Sequence, residues 1–116
     1  MDNVLKALEQ KIIAFRDRRD WAQFHSPKNL SQALGIEAAE LQEIFLWQTS
    51  EASRRPNEVD RVRAASELAD IFIYLTYLCH ELDVDIVRAV EAKLIENGQK
   101  YPVEKAKGNH RKYDRL

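Results

Sequence analysis

Apolar residues recur at the spacing of an α-helix through most of the chain, and this pattern predicts four helices. The predicted helices run from about Asp2 to Arg18, from Pro27 through Trp47, from Glu58 to about Leu82, and from Asp83 or Asp85 to a stop near Gly98. The apolar and polar residues do not alternate as they would in β-strands over any useful length. The predicted fold class is therefore all-α.

Polar stretches separate the predicted helices. Arg19–Ser26 breaks the helical period and is predicted as a connector. Ser26 can cap the second helix and Pro27 suits its first turn, because the missing N–H of proline costs nothing there. Thr49–Asn57 is polar and is predicted as a loop.

The domain organisation follows from these elements and from the distribution of apolar residues. We predict one helical domain over residues 1–101 and a loose, polar and basic tail over residues 102–116. The second half of the third helix, LADIFIYLTYLC at residues 68–79, is apolar nearly all round. One packed face cannot bury such a helix, so we expect part of it to form a subunit interface.

Charge and cysteine content exclude several classes of protein. The 116 residues carry a formal net charge of -1, so no global field attracts the chain to nucleic acid or to a membrane, and we expect neither as a partner. Cys79 is the single cysteine, which excludes an internal disulfide and fits a reducing compartment. The expected location is cytoplasmic.

Two pairs of acidic residues are the main candidates for chemistry. Glu37 and Glu40 lie in the second predicted helix, and Glu67 and Asp70 lie in the third. Residues three apart share a helical face, so each pair presents two carboxylates on one side. Two facing pairs would form an all-oxygen site suited to Mg²⁺. The alternative is that they are ordinary charged residues on helix surfaces, as many acidic residues are.

Aromatic residues lie near these pairs in the predicted helices. Trp47 follows Glu40 by seven residues and Tyr74 follows Asp70 by four, so each shares a face with its acidic pair and could stack on a nucleobase. Ordinary core packing is the alternative. Trp21 and His25 lie in the connector, where the histidine is either structural or a ligand-binding group.

Cations end the fourth predicted helix. Lys93 and Lys100 are candidates to bind a triphosphate near the acidic pairs, with Asn97 and Tyr101 beside them. Cations at this end also suit the helix dipole without any ligand. The sequence contains no phosphate-binding glycine loop, zinc-ligand spacing or Ser/His/Asp arrangement.

Four sequence blocks carry a resemblance to a known family. The acidic pairs read EAAE and ELAD. They belong to the second and third of four blocks that follow one another between Arg19 and Pro102, namely RDWAQFHSPKNL, EAAELQEIFLW, ELADIFIYL and KLIENGQKYP. This order resembles the MazG-type, all-α nucleotide pyrophosphohydrolase superfamily, and in particular its dCTP pyrophosphatase branch.

The resemblance implies a fold, a reaction and a set of site residues. It implies a MazG-like four-helix bundle completed by oligomerisation, as a homodimer or homotetramer. It also implies hydrolysis of a nucleoside triphosphate to a monophosphate and diphosphate with Mg²⁺, for which Mn²⁺ could substitute. The implied metal ligands and catalytic residues are Glu37, Glu40, Glu67 and Asp70. Together with the candidates above, the substrate-binding set is Trp21, His25, Trp47, Tyr74, Lys93, Asn97, Lys100 and Tyr101.

Some choices within this reading stay open. Glu40 could ligate the metal or take the proton of the attacking water. Some dCTP-specific relatives place a histidine against the base where this chain has Ile12, so the preference for cytosine is open. The alternatives are a dUTPase-like or phosphoribosyl-ATP pyrophosphohydrolase-like enzyme, or a non-catalytic helical adaptor.

Overall fold

The computed structural model describes the backbone of residues 2–116 and the side chains from residue 4 onward. Its four long helices are α1 (Asp2–Asp17), α2 (Pro27–Phe45), α4 (Glu58–Leu82) and α5 (Ile86–Lys100), and its short helices are α3 (Ser50–Ser53) and α6 (Val103–Ala106). Single 3₁₀ turns lie at Ala22–Phe24 and Tyr113–Arg115. Residues 2–116 contain no β-strand, so the predicted all-α class is confirmed.

The helix starts follow from side-chain caps. The Ser26 hydroxyl accepts a hydrogen bond from the Asn29 N–H at 3.1 Å, as predicted for the start of α2. The carboxylate of Asp85 accepts one from the Arg88 N–H at 3.2 Å. Asp85, and not Asp83, is therefore the N-cap of α5.

Three local predictions are wrong. The Thr49–Asn57 stretch is not a plain loop, because the Thr49 side chain caps the short helix α3. Gly98 does not stop α5, which continues to Lys100 and ends before Pro102. A proline disfavours helical conformation in the residue before it, so the stop comes from Pro102.

The third wrong prediction concerns the tail. Residues 102–116 are not uniformly loose, since they contain α6 and the second 3₁₀ turn. The predicted domain division at residue 101 stays a prediction.

Residues up to Asp83 form one compact unit and residues from Val84 onward form a second. In the first unit, α2 packs along α4, and α1 contacts α4 more sparsely. Its core joins the three helices through Ile12, Leu30 and Tyr77. The core thereby fixes the sides of α2 and α4 that face each other, which is where Glu37, Glu67 and Asp70 lie.

The described helices differ from membrane-spanning ones. None combines the length with the apolar composition that crossing a bilayer needs.

Candidate metal centre

The packing of α2 along α4 brings carboxylates of both helices together. One oxygen from each of Glu37, Glu67 and Asp70 lies within 4.8 Å of the others. All three residues are half-buried. The structure therefore brings together three of the four acidic residues that the sequence singled out.

Glu40 differs from the other three. It is exposed and lies outside this acidic cluster of Glu37, Glu67 and Asp70. It is nevertheless close enough to Glu37 to affect the pKa of that residue. Glu40 is therefore at the rim of the cluster, and its role as a metal ligand or base stays a prediction.

The electrostatics of the cluster centre on Glu37. The Glu67 side chain is the main cause that raises the pKa of Glu37 to about 7, followed by burial and by the charges of Glu40 and Asp70. Two ionised carboxylates only accept hydrogen bonds, but a protonated Glu37 can donate one to Glu67. In the absence of a cation, the cluster thus holds a proton near neutral pH.

Two oxygens of the cluster have no partner of their own. Oε2 of Glu37 and Oε2 of Glu67 are buried and find no hydrogen-bond partner among the described residues. Buried carboxylate oxygens need a proton or a cation to offset the lost hydration. Three convergent carboxylates with orphaned oxygens fit a hard, oxygen-preferring cation such as Mg²⁺ or Mn²⁺.

The two aromatic candidates on or near the acidic helices differ in burial. Tyr74 is half-buried one turn beyond Asp70, and its ring meets that of Tyr77 edge to face at 6.3 Å. Trp47 is 93% exposed and lies beyond the end of α2 at Phe45. The second helix, predicted to continue through Trp47, thus ends two residues earlier, and the part of Trp47 in substrate binding stays a prediction.

The connector packs onto the ends of α1 and α4. Trp21 meets Phe15 of α1 edge to face, with ring centroids 5.8 Å apart. His25 lies over the ring of Tyr77 at 4.7 Å, and its Nδ1 is buried without a hydrogen-bond partner among the described residues. Burial, and then the charge of Arg16, lower the pKa of His25, which favours the neutral imidazole.

Sequence reasoning missed two residues that lie near His25. Arg16 is 5% exposed and donates to Asp17 and to Glu81 of α4, the latter at 3.2 Å. Tyr77 is 3% exposed. Helical spacing could have indicated both, because Arg16 lies four residues after the buried Ile12 and Tyr77 lies three after Tyr74.

The remaining candidates belong to the second unit. Glu96 of α5 pairs with Lys93 at 3.1 Å through one oxygen and with Lys100 at 3.2 Å through the other. The two lysines lower the pKa of Glu96. Asn97 is half-buried and its carbonyl accepts from the Tyr101 N–H at 2.8 Å. Binding of phosphate or sugar by the candidates of this unit stays a prediction; they are Lys93, Asn97, Lys100 and Tyr101.

The described chain is thus all-α, with carboxylates from two packed helices that converge. The chain is a member of the MazG-like family, whose family model matches residues 33–116. The predicted family is confirmed.

The chain is also similar in sequence to curated proteins that are named for an activity. The chain is 42% identical over 105 residues to dCTP pyrophosphatase 1 of Rattus norvegicus and 41% identical over 104 residues to that of Homo sapiens. Each match covers 88% of this chain but only 61% of the relative. The chain therefore matches less than two thirds of the length of these curated relatives.

A solved structure shares the fold. A crystal structure of a pyrophosphatase from Archaeoglobus fulgidus superposes with a TM-score of 0.80 at 37% sequence identity. The match covers 84% of this chain and 92% of the archaeal chain. The MazG-like, all-α fold is therefore common to both proteins.

Proposed function

We propose that this chain is a Mg²⁺-dependent nucleoside triphosphate pyrophosphohydrolase. It hydrolyses a (deoxy)nucleoside triphosphate between the α and β phosphates, with dCTP or a related or modified deoxynucleotide as substrate, and so serves nucleotide-pool housekeeping. The observation that carries the proposal is the acidic cluster of Glu37, Glu67 and Asp70. Its support is membership of the MazG-like family and the likeness to dCTP pyrophosphatases.

The donors of the cluster fit a magnesium ion. Glu37, Glu67 and Asp70 would hold it through carboxylate oxygens, and two of these residues carry buried oxygens that lack another partner. A bound Mg²⁺ supplies charge neutralisation on the phosphate oxygens and lowers the pKa of water. Mn²⁺ prefers similar oxygen ligands and can replace it.

Other residues of the chain take the remaining roles. Exposed Glu40, next to Glu37, can accept a proton from the attacking water. The ring of Tyr74 and the neutral imidazole of His25 provide stacking and hydrogen-bonding surfaces for the nucleoside. Lys93 and Lys100 offset the charge of the leaving diphosphate.

These contacts do not determine which base the site prefers. Ile12, where some dCTP-specific relatives have a histidine, is 8% exposed and packs in the core with Leu30 and Tyr77. An aliphatic side chain there offers no hydrogen bond to a cytosine. Any preference for cytosine must therefore come from other residues of the pocket.

The chain acts as an oligomer in this proposal. A groove of about 620 Å³ between α2 and α4 is lined by apolar side chains, among them Leu41, Phe45 and Leu68. Leu68 is 54% exposed there. Exposed apolar surface of this kind is costly in water, and a second copy of the chain that covers it would complete the helical bundle.

A substrate panel tests the proposed reaction. We expect purified protein with Mg²⁺ to convert a deoxynucleoside triphosphate to its monophosphate and diphosphate, with dCTP or a modified analogue preferred. The panel contains the canonical and modified dNTPs and NTPs, and both products are identified. Preference for dUTP would favour the dUTPase-like alternative, and no release of diphosphate from any nucleotide would favour the adaptor.

A pair of variants ties the reaction to the acidic cluster. Glu37→Gln keeps the side-chain volume but removes the charge, so we expect kcat to fall by about a hundredfold or more. The matched control is Glu43→Gln, at an exposed position of the same helix outside the cluster. Direct titration of Mn²⁺ checks that Glu37→Gln weakens metal binding. Full activity of Glu37→Gln with Mg²⁺ would contradict the assignment.

A further inference from the structure

The C-terminal segment returns to the end of α5 after a tight reversal. Gly108 adopts φ +73°, a left-handed conformation that glycine tolerates without strain. The Asn109 N–H donates to the Ala106 carbonyl at 3.0 Å, and the Arg111 N–H donates to the Asn109 side chain at 2.8 Å. These bonds fix the turn that leads back to the 3₁₀ turn at Tyr113–Arg115.

The ring of Tyr113 makes two contacts at the end of α5. It meets the ring of Tyr101 edge to face, with centroids 6.0 Å apart at 87°. The ammonium group of Lys100 lies 4.9 Å from the centre of the same ring. Both geometries are attractive, the first between aromatic quadrupoles and the second between a cation and the π-face.

Lys100 is thereby held from two sides. Its ammonium group lies between the Tyr113 ring and the carboxylate of Glu96, 3.2 Å away. A free lysine side chain loses much rotamer freedom when it binds a ligand, whereas a side chain already held in place loses less. The contact with Tyr113 therefore lowers the cost of presenting Lys100 and Tyr101 to an anionic ligand.

We infer that Tyr113 is a positioning residue of the nucleotide site, which it serves by holding Lys100 and Tyr101 in their binding conformations. The inference rests on the proposed function and on the predicted substrate-binding roles of Lys100 and Tyr101. It gives residues 107–116 a part in substrate binding, although their composition resembles that of a solvated tail.

Substitutions at Tyr113 separate this role from a merely structural one. Tyr113→Leu removes the ring, and we expect KM for the preferred nucleotide to rise about three- to tenfold while kcat changes by less than about twofold. Tyr113→Phe keeps the ring and should keep KM within about twofold of the parent. Tyr113→Gln, which suits a half-exposed position, should reproduce the effect of leucine.

A double-mutant cycle tests whether Tyr113 acts through Lys100. Lys100→Met alone should raise KM, and Tyr113→Leu should then add little, because the ammonium group it positions is absent. The matched control is Lys105→Met on exposed α6, where the effect of Tyr113→Leu should persist in full.

The outcomes distinguish this inference from the proposed function. If the parent chain hydrolyses no nucleotide, the proposed function fails. If the parent is active and KM is unchanged or lower in Tyr113→Leu, the positioning role is overturned. Additive effects with Lys100→Met overturn it as well, as does unfolding of both Tyr113→Leu and Tyr113→Gln in a thermal melt, which would make the residue structural.

Discussion

At the scale of single residues, Glu37 lies where the carboxylates of Glu67 and Asp70 converge, with that of Glu40 at the rim. Their combined effect, with burial, raises the pKa of Glu37 to about 7 from 4.5. A proton is therefore bound more tightly by this side chain in the folded chain than in the unfolded one. Such a cluster stores unfavourable charge repulsion that a divalent cation relieves.

This arrangement predicts how the stability of the metal-free chain depends on pH. Because the pKa is raised on folding, Glu37 stabilises the folded state fully below about pH 4.5, and this contribution is lost as the pH rises through about 7. In EDTA, the thermal midpoint of the parent should therefore fall relative to that of Glu37→Gln between pH 5 and pH 8. Circular dichroism melts at each pH measure this difference.

Added Mg²⁺ provides the control for that measurement. Since the ion binds the ionised carboxylates, it should raise the midpoint of the parent more at pH 8 than at pH 5. Parallel curves for the parent and Glu37→Gln across the whole pH range would show that Glu37 titrates as an ordinary glutamate.

The same residues show what spacing alone can predict. Two residues three apart on a helix differ by about 60° around its axis, so both cannot face a neighbouring helix equally. The spacing predicted which acids share a face, but the rotation of α2 against α4 decides that Glu37 turns inward while Glu40 stays exposed. That rotation depends on contacts between helices and is not encoded in the spacing.

At the scale of elements, the junction between α4 and α5 assigns different roles to two aspartates. Asp83 follows α4 in a left-handed conformation, with φ 53° and ψ 47°. Asp85 caps α5 through its side chain. The sequence left the capping residue open between them, because an aspartate is favourable both as an N-cap and in a turn.

Substitutions at these two positions should act in opposite directions. Asp85→Ala removes the cap and should lower the free energy of unfolding by about 1 kcal/mol. Asp83→Gly relieves the left-handed strain and removes a negative charge from the C-terminus of α4, so it should be neutral or stabilising by up to about 1 kcal/mol. Urea unfolding followed by far-UV circular dichroism measures both. A loss of stability in Asp83→Gly equal to that in Asp85→Ala would reverse the assignment.

The elements that the sequence predicted are those with a long periodic pattern. The four long helices each bury a stripe or carry an explicit cap, and their existence was read from the spacing of apolar residues. The helices α3 and α6 each span four residues, which is too short for any stripe to repeat. The fold of residues 107–116 depends on single contacts such as Tyr101 with Tyr113, which composition does not reveal.

At the scale of the whole molecule, apolar burial is sparse. Among the described side chains, the buried hydrophobic residues are Ile12, Leu30, Ile44 and Tyr77. α4, which is apolar nearly all round in its second half, contributes only Tyr77 to this set. The expectation that part of residues 68–79 forms a subunit interface stays a prediction, and the first residue of that stretch, Leu68, lines the open groove.

Whether a second copy of the chain occupies that groove can be tested by measuring the mass of the protein in solution. We expect the parent to elute as a dimer or tetramer of the 13.5 kDa chain in size-exclusion chromatography with light scattering. Leu68→Glu places a charge among Leu41, Phe45 and Leu46, and burying that charge in an interface without a partner costs several kcal/mol. The variant should therefore dissociate at micromolar concentration while its far-UV circular dichroism stays helical.

Val103→Glu, at a position 72% exposed and outside the groove, should keep the mass of the parent. A parent that remains monomeric at all concentrations would leave the groove without its proposed occupant, and a Leu68→Glu variant with the mass of the parent would place the contact between copies elsewhere on the surface.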